Sequence, residues 1–214
     1  GFEEKRTAAF VARTMREFGI EVTEGIGGTG VVGTLKRGTS NRAIALRADM
    51  DALPMQEFNK SPHASQYAGK MHACGHDGHV AMLLAAAQHL AKNRNFDGTV
   101  YVIFQPAEEG GGGAREMIQD GLFEKFPMQA VFGMHNWPGL GVGKFALSAG
   151  PVMASSNEFT ITIHGKGGHA AHPHLSNDPL VVAANLVLSL QTIVARNLDP
   201  FSNAVVTVGF VKGG

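Results

Sequence analysis

The sequence predicts an α/β protein, and three observations predict it. Short apolar stretches of strand length recur at Ala43–Ala48, Thr99–Gln105 and Met128–Met134. Between the first two, Val80, Leu83, Leu84, Ala87, Leu90 and Ala91 repeat with the i, i+3, i+4, i+7 period of one helical face. Each strand-like stretch then ends on acidic or histidine residues, the place where α/β sheets carry their ligands.

Composition narrows the classes. Of 214 residues, 44% are hydrophobic and 17% charged, enough apolar material for a core. The formal net charge is zero, so no basic footprint points to nucleic acid, and none is expected as a partner. Cys74 is the single cysteine and has no intrachain partner, which fits a reducing compartment; the expected location is cytoplasmic. The longest uninterrupted apolar run, Val80–Ala87, is short of a membrane span, and no secretory leader is visible, so no membrane partner is expected.

In chain order, Phe2, Phe10, Val11, Met15 and Phe18 approximate a helical face that Gly19 would stop. Gly25-Ile26-Gly27-Gly28-Thr29-Gly30 matches the dinucleotide pattern G-x-G-x-x-G. That motif must open a helix, whereas Val31–Lys36 reads as a strand, so the glycines are expected to form a turn. The strand Ala43–Ala48 delivers Asp49-Met50-Asp51, either a ligand-binding end or an acidic loop that caps the next element. Residues 56–70 are polar and read as a loop.

Met71-His72-Ala73-Cys74-Gly75-His76-Asp77-Gly78-His79 gathers thiol, imidazole and carboxylate within nine positions. These are the usual protein ligands of zinc and similar ions, and Cys74 and His76, two apart in an extended loop, can face one side. The same residues also suit a solvated turn ahead of a helix. Asp77 is the expected N-cap of that helix, whose positive end would make the Cys74 thiolate easier to form.

Thr99–Gln105 reads as a central strand covered on both faces. After Pro106 come Glu108-Glu109 and four glycines. In an extended segment these neighbours would face opposite ways, one carboxylate toward a metal and one toward a proton in flight. A short helix is expected at Ala114–Gln119, and the strand Met128–Met134 delivers His135. Asp49/Asp51, Glu108/Glu109, His135 and the Cys74/His76 loop thus converge on one candidate metal site.

Four segments now carry a resemblance: Leu46–Pro54 (LRADMDALP), Met71–His79 (MHACGHDGH), Phe104–Gly111 (FQPAEEGG) and Gly165–Ala171 (GKGGHAA). Their order and spacing resemble the amidohydrolase branch of the aminoacylase/carboxypeptidase metallopeptidases, which includes hippurate hydrolases and auxin-conjugate hydrolases. The resemblance runs along essentially the whole chain. It implies a zinc-exopeptidase-like catalytic domain, with a mixed sheet flanked by helices, over residues 1–150. It also implies the first half of an α+β lid and dimerisation domain over 151–214. It further implies two divalent metal ions per site, zinc first, with manganese, cobalt or nickel as alternatives. Cys74 would bridge them, His76, Glu109 and His135 would complete the ligands, and Glu108 would be the general base. Asp51 would steady the site from behind. Asp49 stands where relatives outside this branch carry a histidine ligand, and we leave it unassigned. His169 would reach across a homodimer to the substrate carbonyl. The substrate implied is an N-acyl amino acid.

Past Gly150-Pro151 the pattern becomes β-α-β: Glu158–His164, a helix from Asp178-Pro179 to about Arg196, then Asn203–Val211. The family's last ligand histidine and its closing strands have no counterpart here, so the chain is expected to be a fragment. The alternative to an amide hydrolase is an inactive relative or fragment that binds a ligand or partner without turnover.

Overall fold

A computed structural model describes all residues, Gly1–Gly214. The chain divides into two compact units, Gly1–Leu140 and Gly141–Gly214. The division falls ahead of the Gly150-Pro151 boundary suggested by the change in sequence character.

The first unit is built on a five-stranded mixed sheet. Its strands are β1 (Glu21–Ile26), β2 (Gly30–Arg37), β3 (Ala43–Asp49), β4 (Gly98–Gln105) and β5 (Ala130–Gly133), in the spatial order β1-β2-β4-β3-β5. β1, β2 and β4 pair antiparallel, while β3 runs parallel to both β4 and β5. Alternation along β4 serves two cores. Val100, Val102 and Phe104 face one cluster with Val31, Leu35 and Ala48, while Tyr101 and Ile103 face another with Val32, Ala43 and Ala45. Helices α1 (Lys5–Glu17) and α2 (His76–Asn93) cover the first face through Val11, Met15, Leu83, Leu84 and Ala87. Helices α3 (Gly113–Gln119) and α4 (Leu122–Lys125) cover the second through Met117 and Leu122.

Some expectations shift. The buried stripe of α1 is Ala8, Val11, Ala12 and Met15, at i, i+3, i+4 and i+7, and Phe10, off that stripe, is exposed. Strand β1 was not expected. Its sequence, with two glutamates and a glycine, is that of an edge strand and lacks an apolar run. Within the Gly25–Gly30 segment, Gly27, Gly28 and Thr29 form the turn from β1 to β2, as the strand after it required. Gly27 has φ +62°, and a Cβ there would lie 2.7 Å from the Met117 backbone nitrogen. Its role is a close backbone approach to α3, not a phosphate cradle.

In the second unit, α5 (Pro179–Thr192) starts as expected: Asp178 Oδ1 accepts from the Leu180 N–H at 2.8 Å, with proline at the first helical position. A π-helical turn, Ile193–Asn197, extends it. Together Pro179–Asn197 make a 19-residue helix with an 18-residue window of mean hydropathy 1.5, long and apolar enough to cross a bilayer by those two measures. A count of consecutive apolar residues misses this segment because Asn185, Ser189 and Gln191 interrupt it. The expected strands Glu158–His164 and Asn203–Val211 do not form. A strand exists by pairing its N–H and C=O groups, and neither segment joins a ladder.

Candidate functional site

The parallel register of β3, β4 and β5 brings their carboxyl ends to one edge of the sheet. Asp49 pairs with Gln105, and Arg47 with Gly133. The residues that follow these ends, Asp51, Glu108-Glu109 and His135, therefore emerge side by side. The fourth contributor is the start of α2. The expected Asp77 cap is replaced: Gly75 is the N-cap residue at φ +80°, and Asp77 lies in the first turn with Oδ1 accepting from the Gly78 N–H. A side chain at position 75 would also collide with Asn136, whose Nδ2 would be 2.3 Å from the added Cβ. Glycine lets the helix start turn left-handed while the loop after β5 sits against it.

His76 is the meeting point. Its Nδ1 lies 3.3 Å from Asp51 Oδ1, so the proton on Nδ1 points at the carboxylate and Nε2 faces the site. Asp51 Oδ2 also accepts the Glu109 backbone N–H at 3.0 Å. Burial pushes the Asp51 carboxyl up, but the hydrogen bonds from His76 and the Glu109 and Glu108 backbone hold it down at about 2. His76 moves the other way: burial lowers its pKa, and Asp51, Asp49 and Glu109 raise it to a net increase.

Three ligand-like groups share the His76 ring, and two of them hold the expected site residues. Cys74, His76 and His135 form one, and His76, Glu108 and Glu109 the other. Cys74 Sγ is 3.4 Å from His135 Nε2, while His135 Nδ1 donates to the Asn136 carbonyl at 2.6 Å. That bond leaves the Nε2 lone pair of His135 facing the thiol. His76 Nε2 lies 3.9 Å from Glu108 Oε2 and 3.8 Å from Glu109 Oε1. The glutamates do not face opposite ways as an extended segment would place them. The chain leaves the extended conformation at Ala107, φ +49°, and both carboxylates turn to the same imidazole. Glu109 is the more enclosed, with 26% of its side chain exposed against 44% for Glu108.

Ala107 holds that left-handed backbone, unusual for alanine, with help from the buried Glu4. Glu4 Oε1 accepts the Ala107 N–H at 3.3 Å, and Oε2 accepts from Thr29 Oγ1 at 2.6 Å.

The expectation of an easily formed Cys74 thiolate is overturned. Burial and the neighbouring carboxylates of Glu109, Glu108 and Asp49 push the thiol up to about 11, which outweighs a helix terminus. The donor set nevertheless fits divalent cations. Two imidazole nitrogens, a thiol and two carboxylates converge, and a cation would offset the carboxylate charge that, after burial, raises the Cys74 thiol. A third ligand-like group, Asp49 with His76 and His79, is internally satisfied, because His79 Nδ1 already meets Asp49 Oδ1 at 2.6 Å. His79 and Asn136 carried no expected role. For His79 the signal is its i, i+3 spacing from His76, which puts both rings on one helical face; no such spacing marks Asn136.

His169 lies in the second unit, exposed, with Nδ1 accepting the Ala171 N–H at 3.0 Å.

Comparison with known proteins agrees with this architecture. The chain is 52% identical to a hippurate hydrolase of Campylobacter jejuni over 214 residues, all of this chain and 56% of that protein. It is 45% identical to an N-acetyl-L-cysteine deacetylase of Bacillus subtilis over 213 residues, 99% of this chain and 51% of that protein. It thus spans about half the length of these curated relatives. Among solved structures, the Bacillus subtilis YXEP protein, described as a dinuclear metal binding peptidase, superposes with a TM-score of 0.70 at 37% identity. That match covers 90% of this chain and 51% of the other. The model of peptidase family M20/M25/M40 matches residues 45–205, from within β3 through the end of α5 and beyond, and the chain belongs to that family.

Proposed function

We propose that this chain carries the catalytic part of a metal-dependent amidohydrolase that cleaves the amide bond of N-acyl amino acids, with hippurate or an N-acetyl amino acid as model substrates. The observation that carries the reading is the placement of His76 between a Cys74–His135 group and a Glu108–Glu109 group. Cys74, His76, Glu109 and His135 would hold two divalent ions, with Cys74 between them. Zinc suits the thiolate and imidazoles, manganese suits the carboxylates, and cobalt or nickel are further alternatives. When bound, the ions supply Lewis acidity toward the amide carbonyl and lower the pKa of water.

The chain's own residues do the rest. Glu108, the more exposed glutamate, accepts a proton from the attacking water and delivers it to the departing amine. Asp51 fixes the His76 tautomer and the Glu109 backbone, which keeps the ligand set in place as charge changes. His169 of a second subunit donates a hydrogen bond to the carbonyl oxygen as it becomes anionic. The reading includes a cytoplasmic homodimer joined through the second unit.

The test measures bound metal and hydrolysis of hippurate and N-acetyl amino acids by the whole protein. Two ions per chain with turnover that a chelator abolishes supports the reading. Two ions without turnover on any N-acyl amino acid would leave a binding protein.

A further inference from the structure

Asp49 and His79 are among the most enclosed polar side chains in the first unit, 3% and 2% exposed, yet they serve none of the roles above. Asp49 closes β3 and is clamped from its own strand and, through Arg47, from the next. Arg47 Nη1 donates to Asp49 Oδ2 at 2.8 Å, and Arg47 Nε and Nη2 donate to Gln105 Oε1 at 2.9 and 2.7 Å. Asp49 Oδ1 meets His79 Nδ1 at 2.6 Å, so that nitrogen carries its proton toward the carboxylate. The opposite nitrogen, Nε2, faces Asn136: the backbone N–H of Asn136 points at it from 3.1 Å, and Asn136 Oδ1 lies 3.0 Å away. Asn136 Nδ2 in turn donates to the Gly75 carbonyl at 3.2 Å.

Asn136 immediately follows His135. The strand before it, β5, is a four-residue edge strand with largely exposed side chains. Residues 134–140 have no hydrogen bonds to the rest of the unit besides those of Asn136 to His79 and Gly75 and the Cys74–His135 contact. The position of His135 is therefore set mainly by what holds Asn136.

We propose that His79, oriented by Asp49, is a positioning residue: by holding Asn136 it places His135 Nε2 opposite Cys74 Sγ. The proposal rests on the reading of Cys74 and His135 as metal ligands for its consequence in affinity, but not for the placement itself. Rigidity in the shell behind a ligand is what keeps that ligand's geometry when the metal leaves and returns.

Two substitutions separate placement from general support. In His79→Asn the amide stands where Nδ1 stood, so it still reaches Asp49 but falls short of Asn136. In His79→Gln the amide stands where Nε2 stood and meets Asn136. The first readout needs no metal: hydrogen exchange at the Asn136 amide in the metal-free whole protein. Exchange should accelerate at least about tenfold in His79→Asn and return toward wild type in His79→Gln, at similar thermal unfolding midpoints. The second readout is metal affinity by chelator competition. One of the two ions should bind about 10–100-fold more weakly in His79→Asn and near normally in His79→Gln. Equal exchange at Asn136 in wild type and both variants overturns the proposal. So does an equal loss in the two variants, since only the asparagine fails to reach Asn136. Should wild type bind no divalent ion while Asn136 protection still follows residue 79, the placement stands and the hydrolase reading fails.

Discussion

The Asp51 carboxylate stands 3.3 Å from His76 Nδ1 and decides which imidazole nitrogen faces the site. Its other oxygen takes the Glu109 N–H, so one buried acid ties the cysteine loop to the glutamate pair. Asp51→Asn removes the charge but little volume, and its amide can turn either end toward the ring. Metal affinity of the whole protein should fall about 10–100-fold. A variant with unchanged affinity would mean that Asp51 is mere packing.

The same residue predicts a pH dependence. Asp51 is held at about 2 from an ordinary 3.8, so the folded state binds its proton less readily than the unfolded one. That stabilisation is fully present above about pH 4 and is lost as the pH falls toward about 2. Metal-free wild type should therefore lose stability between these values more steeply than Asp51→Asn. Parallel acid-unfolding curves for the two proteins, followed by circular dichroism, would contradict it.

Glu108 and Glu109 are both within 4 Å of His76 Nε2, and their difference in exposure is the structural basis for giving them different tasks. Glu108→Gln is nearly isosteric but accepts no proton. It should keep its full metal content and lose about 10²–10⁴-fold in kcat. Loss of metal with Glu108→Gln, and retention with Glu109→Gln, would exchange the two roles.

Cys74 tests the electrostatics directly. Without metal its thiol is pushed up to about 11 by burial and by the carboxylates of Glu109, Glu108 and Asp49. Alkylation of the chelated protein by iodoacetamide should thus be slow near neutrality and rise with pH toward about 11, later than an ordinary thiol. Bound cations should suppress the reaction across the whole range, because they occupy the sulfur. Identical rates with and without metal would place Cys74 outside the ion site.

The sequence exposed the site better than it exposed the sheet around it. Asp49, Asp51, Glu108, Glu109 and His135 were legible because each follows an apolar run, and parallel strands end together. β1 was not legible, since Glu21, Glu24 and Gly25 give an edge strand no hydrophobic pattern to read. The alternating segment Glu158–His164 was misread for the opposite reason: it has the pattern of a strand but no partner to pair with in its unit. Nor could local rules foresee the thiol. A helix terminus would favour the Cys74 anion, but burial, together with three carboxylates that arrive from distant segments, outweighs it. The left-handed backbone at Ala107 is equally invisible, because alanine gives no sign of it and Glu4, which supports it, is about a hundred residues away in the chain.

His169 carries the remaining prediction. Its Nδ1 accepts the Ala171 N–H, which leaves the proton on Nε2, directed away from its own turn. An exposed imidazole held as an Nε2–H donor is suited to a developing oxyanion, for which one donor is worth about 2.7–4 kcal/mol. His169→Ala in the whole protein should therefore keep its metal and lower kcat about 10²–10³-fold. His169→Gln, which retains a donor, should recover part of that loss, whereas a merely structural histidine would show no such rescue. If the donor comes from a second subunit, mixing His169→Ala with Glu108→Gln should regain activity, since one site in each heterodimer then has both groups intact. Subunits that exchange freely and stay inactive would exclude donation between subunits, and an unchanged kcat in His169→Ala would remove the residue from the reaction altogether.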